Sequence, residues 1–209
     1  MKVRVQRQAW YHQGMREAAL LSLLLLGCDG DPEPAAPALR APDKAAESRP
    51  QIEGPTAGGI TWEAPDPFRS RRPTGGMRAA EYVVPEQNQG ETPAMLTVFH
   101  FGRGRGGTVD ENVQRWLGQI ERPAGAEPSI RGRRVSGLSV TVVDVVGTYR
   151  EMSMPGAAPA VAVRDQRFLG AVVEAPDGLV FFKLVGERVV VDRAGDAFEA
   201  LIDTIRPVR

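Results

Sequence analysis

The chain has 209 residues with 26 basic and 26 acidic side chains, so its formal net charge is zero and gives no electrostatic reason to expect a nucleic-acid partner. This length suits one domain with one hydrophobic core. The single cysteine excludes an internal disulfide framework and a zinc site built on cysteines.

The N-terminal segment, residues 1–27, has the features of an export signal. Its first part is basic, with Lys2, Arg4, Arg7 and Arg16. Residues 18–27, which follow, contain only Ala, Leu, Ser and Gly. This run fits a signal h-region of about 7 to 15 residues and is shorter than the roughly 20 apolar residues of a spanning helix. We therefore predict a cleaved signal peptide, with translation starting at Met1 or at Met15.

The apolar run ends in Leu25, Leu26, Gly27 and Cys28, an order that resembles the lipobox of bacterial lipoproteins. The resemblance implies that lipoprotein signal peptidase cuts before Cys28 and that the Cys28 sulfur carries diacylglycerol, with acyl chains such as palmitate. Each buried methylene group contributes about 0.8 kcal/mol to such an anchor. We expect a protein of the cell envelope, facing the periplasm or the cell surface. Asp29 resembles an inner-membrane retention signal of some enteric bacteria, and the choice of membrane stays open.

The alternative role for Cys28 is a buried, unpaired thiol. A buried thiol needs a surrounding core, and the residues after it are rich in Pro, Ala and charge. Such a composition cannot bury enough apolar surface to offset chain entropy. We therefore predict that residues 28–57 form a disordered, semi-extended tether and that residues 58–209 form a single domain.

Strand patterns dominate the predicted domain. Short strands are expected at residues 60–62, 81–84 and 95–101. The longest β-favouring run, residues 138–149, is expected to pair with residues 129–134 in a hairpin. A second hairpin is predicted around Asp177-Gly178, because an Asp-Gly pair between two apolar runs is a strong turn signal.

Two helices complete the prediction. The first begins at Thr108, where Glu111 three residues later forms a capping box. Its apolar face is predicted to contain Val109, Val113, Trp116, Leu117 and Ile120. The second helix is predicted over residues 190–204, where apolar side chains recur at helical spacing. The fold class is therefore α+β, a mostly antiparallel sheet of about five to seven strands with two main helices packed on it.

This order of elements is similar to that of the PsbP-like proteins, named after the extrinsic subunit of photosystem II. In that family a Pro-x-x-aromatic corner follows a short strand, and Pro65 to Phe68 match it with Phe68 in place of the usual tryptophan. The closing helix of the family matches Phe198, Leu201, Ile202, Thr204 and Ile205. The resemblance implies an α+β sandwich that acts as a non-catalytic accessory subunit.

Four shorter stretches resemble uncharacterised exported bacterial proteins. They are Thr61-Trp62-Glu63-Ala64-Pro65, Val98-Phe99-His100-Phe101-Gly102, Arg115-Trp116 and Phe181-Phe182-Lys183. This closer resemblance implies export and carries no activity with it.

One local motif is a candidate ligand site. It is the glycine- and arginine-rich turn Gly102-Arg103-Gly104-Arg105-Gly106-Gly107-Thr108, which joins a predicted strand to a helix N-terminus. Free amides and the helix dipole attract anions there, and arginine can bind a phosphate or carboxylate with two hydrogen bonds. The motif lacks the Gly-Lys-Ser/Thr of a P-loop. The alternative is a connecting loop whose glycines permit positive φ.

Catalytic motifs are absent from the sequence. His100 is the one histidine after the predicted signal peptide, and no Gly-x-Ser-x-Gly motif accompanies it. We expect no catalytic residues, no metal ligands and no cofactor. Two functions remain: a lipid-tethered, non-catalytic domain that docks onto an envelope protein, or a module that holds an anionic or polar ligand at the turn.

Overall fold

The computed structural model of the protein describes residues 54–150 and 161–208. These residues belong to the compact unit Ser48–Arg209, whereas a second unit, Met1–Glu47, falls outside them. The predicted signal peptide, Cys28 and most of the predicted tether therefore lie outside the described residues. Within the described ranges, no helix is long and apolar enough to cross a membrane.

The described residues form strands and two helices in the following order along the chain. They are β1 (Thr56–Ala57), β2 (Ile60–Thr61), β3 (Arg69–Arg71), β4 (Arg78–Val84), β5 (Ala94–His100), α1 (Val109–Leu117), β6 (Ile120–Glu121), β7 (Ser129–Val135), β8 (Leu138–Arg150), β9 (Ala162–Ala175), β10 (Gly178–Glu187), α2 (Arg188–Asp203) and β11 (Arg206–Pro207).

The fold is α+β with an antiparallel main sheet, as predicted. The main sheet has eight strands in the order β3-β4-β5-β10-β9-β8-β6, with β7 also paired to β8. A small second sheet has the order β1-β2-β11. The expected five to seven strands are thus an underestimate, because strands as short as β3 and β6 carry no readable alternation.

The domain begins earlier than predicted. Residues 56 and 57 were assigned to the disordered tether, yet Thr56 pairs with Thr61 and Ala57 with Ile60. Strand pairing supplies backbone hydrogen bonds that composition does not reveal. Residues 56 and 57 therefore belong to the folded domain and not to the predicted tether.

The two helices pack on opposite faces of the main sheet. Successive strand residues point to opposite faces, and on β9 Leu169 and Ala171 join the core beneath α2. Their neighbours Phe168 and Val172 join the core beneath α1. The domain is therefore a three-layer sandwich with the sheet in the middle.

The larger core lies between the sheet and α2. The buried apolar residues of α2 are Val190, Val191, Ala194, Phe198, Leu201 and Ile202. They confirm most of the apolar face predicted for this helix, although the helix spans Arg188–Asp203 and Ile205, predicted on the same face, lies beyond its end. Thr204 accepts a hydrogen bond from the Glu63 amide at 2.9 Å, and Arg206 pairs with the Glu63 carboxylate at 3.0 Å. These contacts fasten the C-terminal segment to the segment after β2.

The smaller core lies beneath α1. The Trp116 ring lies 5.2 Å from Phe168 and 6.2 Å from Phe181, centroid to centroid. The inclusion of Ile120 in the helix was wrong, since α1 ends at Leu117 and Ile120 lies in β6. Gly118, a poor helix former, is the C-cap residue that ends the helix. Ile120 instead adopts a strand conformation because it pairs with Tyr149 of β8.

Both predicted hairpins are present. In the β7–β8 hairpin Ser136 and Gly137 have φ values of 50° and 83°, as a two-residue turn with positive φ requires. In the β9–β10 hairpin Ala175 pairs with Gly178, so the turn residues are Pro176 and Asp177. The turn lies one residue earlier than expected, because proline presets the φ value of the first turn position.

The loop before β5 is fastened to α2 by an ion pair. The Arg193 guanidinium contacts both carboxylate oxygens of Glu91, at 3.0 and 2.6 Å. Glu91 also accepts hydrogen bonds from the backbone amides of Gln87 and Asn88. These contacts, led by that of Arg193, hold the pKa of Glu91 well below its ordinary value of 4.5.

We expect Glu91→Gln to flatten the acid dependence of stability. A depressed folded-state pKa contributes stability above the unfolded pKa and loses it as the pH falls through the folded pKa. The wild type should thus lose more free energy of unfolding than the variant between about pH 5 and pH 2. Urea unfolding across this range measures the difference. If the free energy of unfolding fell equally with pH in both proteins, the lowered pKa of folded Glu91 would be contradicted.

Candidate functional site

The glycine- and arginine-rich turn lies between β5 and α1, as predicted. Gly102, Gly104, Gly106 and Gly107 all have positive φ, at 91°, 71°, 93° and 79°. Side chains other than glycine rarely adopt this conformation. The glycines are therefore needed for the path of the turn itself.

The turn packs against the β9–β10 hairpin. The guanidinium of Arg103 contacts the Asp177 carboxylate at 2.8 Å. A Cβ atom on Gly178 would lie 2.9 Å from the Gly102 carbonyl oxygen, so the two backbones touch. Arg103 is thus paired although its side chain is 76% exposed, and Arg105 is exposed as well.

The N-terminus of α1 is capped by its own side chains. The Thr108 amide donates to the Glu111 carboxylate at 2.8 Å, and the Glu111 amide donates to the Thr108 hydroxyl at 3.2 Å. This is the predicted capping box. The Thr108 hydrogen bonds hold the pKa of Glu111 below its ordinary value. An incoming anion would meet this carboxylate at the helix N-terminus.

His100 lies at the end of β5 beside the same turn. Its Nδ1 atom is 3.3 Å from the Leu179 carbonyl oxygen. A Cβ atom on Gly58 would lie 3.0 Å from Nδ1, so the imidazole ring packs against the turn between β1 and β2. These contacts describe a packing role for His100.

A second site, which the sequence did not predict, lies on the α1 face of the main sheet. It is a groove of about 660 Å³, which we call the sheet groove. Its lining includes Glu81, Met95, Thr97, Gln166, Lys183 and Val185. Small-molecule sites commonly have volumes of about 300 to 1,000 Å³.

Strand register places three polar side chains in one row across the floor of the groove. Thr97 on β5 is opposite Glu81 on β4 and opposite Lys183 on β10. Glu81 is 2% exposed and Thr97 is 9% exposed. A buried polar row on a sheet face is costly unless its members are hydrogen-bonded.

Glu81 is held by two arginines and a threonine. Its carboxylate is 2.8 Å from Arg78 and 3.3 Å from Arg71, and it accepts from the Thr74 amide at 2.9 Å. Burial alone would raise the pKa of Glu81, but the hydrogen bonds from Thr74 and Arg78 outweigh it and lower the pKa. The buried carboxylate is therefore ionised.

Lys183 is the one lysine in residues 58–209. Its ammonium donates to Gln119 Oε1 at 3.1 Å and to the Tyr149 hydroxyl at 3.0 Å. It also lies 5.4 Å from the ring centroid of Tyr149 and 5.7 Å from that of Phe168. Aromatic faces attract cations at such distances, which fixes the ammonium beside the groove.

Two polar side chains that line the groove each have an oxygen atom with no hydrogen-bond partner among the described residues. The first is Thr97 Oγ1. The second is Oε1 of Gln166, a residue that is 8% exposed and whose Nε2 donates to the Arg164 carbonyl at 3.2 Å. Neither oxygen is fully buried, so solvent can reach both.

The fold and the groove define a three-layer α+β domain with an antiparallel sheet and a polar groove on one face. No family model matches the sequence. No curated protein matches it significantly. In residues 54–150 and 161–208 there is no group of three or more His, Cys, Asp or Glu side chains that could hold a metal ion.

Proposed function

We propose that the protein is a bacterial lipoprotein anchored in the cell envelope through Cys28. The observation that carries this proposal is the order Leu25-Leu26-Gly27-Cys28 directly after a short apolar run with a basic leader. The Pro- and Ala-rich segment that follows supports it, because such a segment holds a folded domain away from a bilayer.

The folded domain acts, in this proposal, as a non-catalytic accessory domain that docks onto another envelope protein. The role is the one that the sequence resemblance to PsbP-like proteins implies. The Phe68 amide donates to the Pro65 carbonyl at 3.0 Å, a turn that is compatible with the Pro-x-x-aromatic corner of that resemblance. The closing helix buries Phe198, Leu201 and Ile202, three of the five residues matched to the family pattern, whereas Thr204 caps its end and Ile205 lies beyond it.

The alternative function is binding of an anionic ligand at the glycine- and arginine-rich turn. Exposed Arg105 favours it. Two contacts weigh against it, because Arg103 pairs with Asp177 and the Glu111 carboxylate lies at the helix N-terminus. An anion at this turn would be close to both carboxylates, which repel it, so docking is the preferred function.

Membrane fractionation of Cys28→Ala tests the anchor. In a Gram-negative host the wild-type protein should sediment with membranes and require detergent for release. Cys28→Ala lacks the acceptor sulfur, so its membrane-bound share should fall at least about tenfold, because a lipidated cysteine contributes many buried methylene groups.

Asp29→Ser is the matched control, since it alters the neighbouring residue and keeps the acceptor sulfur. It should stay with the membranes, although it can move from the inner to the outer membrane. Equal sedimentation of wild type and Cys28→Ala would reject the anchor. If Asp29→Ser were lost from all membranes although it keeps the Cys28 sulfur, membrane binding could not be attributed to that sulfur alone.

A further inference from the structure

We propose that the hairpin of β3 and β4 lies on an anionic bilayer surface, with arginines at the lipid phosphates and Met77 at the boundary of the acyl chains. The inference rests on the proposed lipid anchor, which keeps the domain near a bilayer, and it adds which part of the domain touches the lipid. Three observations carry it: a surplus of arginine on the hairpin, an exposed apolar residue at its tip and the exit of the tether beside it.

The hairpin is basic in a chain whose formal net charge is zero. Residues 69–78, which we call the basic hairpin, contain four arginines and no acidic residue. They comprise β3, the turn after it and the first residue of β4. Short basic segments close to a membrane are attracted to anionic lipid headgroups.

Two of the four arginines are balanced by acidic residues. Arg71 and Arg78 both contact the buried Glu81 carboxylate, at 3.3 and 2.8 Å. Glu187 lines the same groove as these two arginines. Two positive charges therefore meet two negative charges at this part of the hairpin.

The other two arginines, Arg69 and Arg72, form the surplus. Both are exposed, and neither forms an ion pair with another described residue. Asp66, the nearest other acid along the chain, also forms no ion pair with a described residue. A guanidinium group suits a lipid phosphate because it can donate two parallel hydrogen bonds to it.

The tip of the basic hairpin carries an exposed apolar side chain. Met77 is 68% exposed. A Cβ atom on Gly75 or on Gly76 would have no neighbour within 4 Å, so the turn projects from the domain. In segments that lie in a membrane interface, the charged groups stay with the headgroups while apolar side chains reach the acyl boundary. The tip can therefore bury Met77 in lipid while the arginines contact phosphates.

The predicted tether meets the domain beside this hairpin. The described residues begin at Gly54, and Gly54 and Pro55 line one cavity together with Ser70 and Arg71. The chain that leads back to Cys28 thus enters the domain next to β3. A tether sets the largest distance between the domain and the bilayer, and the surface beside its exit is the one held closest to the lipid. This position favours lipid over an acidic protein as the partner of the hairpin.

Fluorescence of a dye on the hairpin tests the proposal. The protein is the full-length chain with Cys28→Ala, in which Gly76→Cys supplies one thiol for an environment-sensitive dye. The probe is a vesicle of phosphatidylglycerol and phosphatidylcholine in equal parts. The dye emission should rise and shift to shorter wavelength on these vesicles and stay unchanged on vesicles of phosphatidylcholine alone. The lipid anchor is absent from this protein, so the result is independent of the fractionation that tests the anchor.

Removing the surplus charge should weaken vesicle binding. Arg69→Gln with Arg72→Gln should raise the lipid concentration at half-maximal emission at least about tenfold, because each basic residue near an anionic surface contributes about fivefold. Arg122→Gln with Arg164→Gln is the matched control, because both arginines are exposed and lie at the opposite end of the main sheet. It should stay within about twofold of the parent protein. Met77→Ser should raise the same concentration at least about threefold, whereas Met77→Leu should change it less than about twofold.

A second dye position separates contact by the hairpin from adsorption elsewhere on the chain. Gly132→Cys places the dye on β7, at the opposite edge of the main sheet. Six strand spacings of about 4.8 Å separate β7 from β3, which is about 29 Å. The emission at this position should stay unchanged on the same vesicles.

The thermal midpoint shows that the variants stay folded. Arg69 and Arg72 are exposed and have no ion pair to lose, so their replacement should leave Tm unchanged. Three results would each overturn the proposal. They are no response of Gly76→Cys on anionic vesicles, which would leave the hairpin to a protein partner, equal responses of Gly76→Cys and Gly132→Cys, and a response that the loss of both arginines does not weaken.

Discussion

Replacing Trp62 with Ala is expected to lower the free energy of unfolding by about 3 to 5 kcal/mol. Trp62 is fully buried in the larger core. Its ring makes an edge contact with Phe182 at 5.1 Å, and its Nε1 donates to the Tyr82 hydroxyl at 3.0 Å. Truncation leaves a large cavity and removes the partner of a buried hydroxyl, so both costs add.

Urea unfolding followed by far-UV circular dichroism measures this loss. Trp62→Phe, which refills part of the cavity but cannot donate, should lose less than Trp62→Ala. Val189→Ala is the control on α2, because Val189 is 47% exposed and its truncation should stay within about 0.5 kcal/mol. A Trp62→Ala variant as stable as the control would show that this core is wrongly described.

Gly170→Ala is expected to destabilise the domain by about 1 to 3 kcal/mol through overpacking beneath α1. A Cβ atom on Gly170 would lie 2.6 Å from the Trp116 ring and 2.6 Å from the Phe168 ring. Both rings are buried, so neither can move freely. The glycine on β9 thus allows Trp116 to lie against the sheet.

Gly132→Ala on β7 is the matched control for Gly170→Ala. Both glycines lie in strands of the main sheet, but a Cβ atom on Gly132 would have no neighbour within 4 Å. Its replacement should be neutral or slightly stabilising, because alanine reduces the entropy of the unfolded chain. Chemical denaturation of the two variants measures the loss of free energy of unfolding in each. An equal loss in both would contradict close packing of Trp116 on Gly170.

The long elements of the fold were predictable because their sequence signals are local. The capping box of Thr108 and Glu111 and the apolar spacing of α2 are both present as expected. Short elements were missed, since pairing of Thr56 with Thr61 depends on partners and not on any periodic pattern. The placement of the helices on opposite faces also depends on the register of distant strands.

The sheet groove was not predicted because its side chains come from four separate strands. Glu81, Thr97, Gln166 and Lys183 meet only through strand register. One signal was readable in advance: Lys183, the one lysine in residues 58–209, interrupts an apolar run between Phe182 and Leu184. A charged residue at such a position indicates a polar feature on one sheet face.

Intact mass spectrometry of the detergent-extracted protein tests the proposed lipoprotein identity most directly. The account predicts a mass that lacks residues 1–27 and carries two or three acyl chains, and it predicts that Cys28→Ala loses these chains. A mass that retains residues 1–27 without acyl chains would contradict the anchor and the envelope role proposed with it.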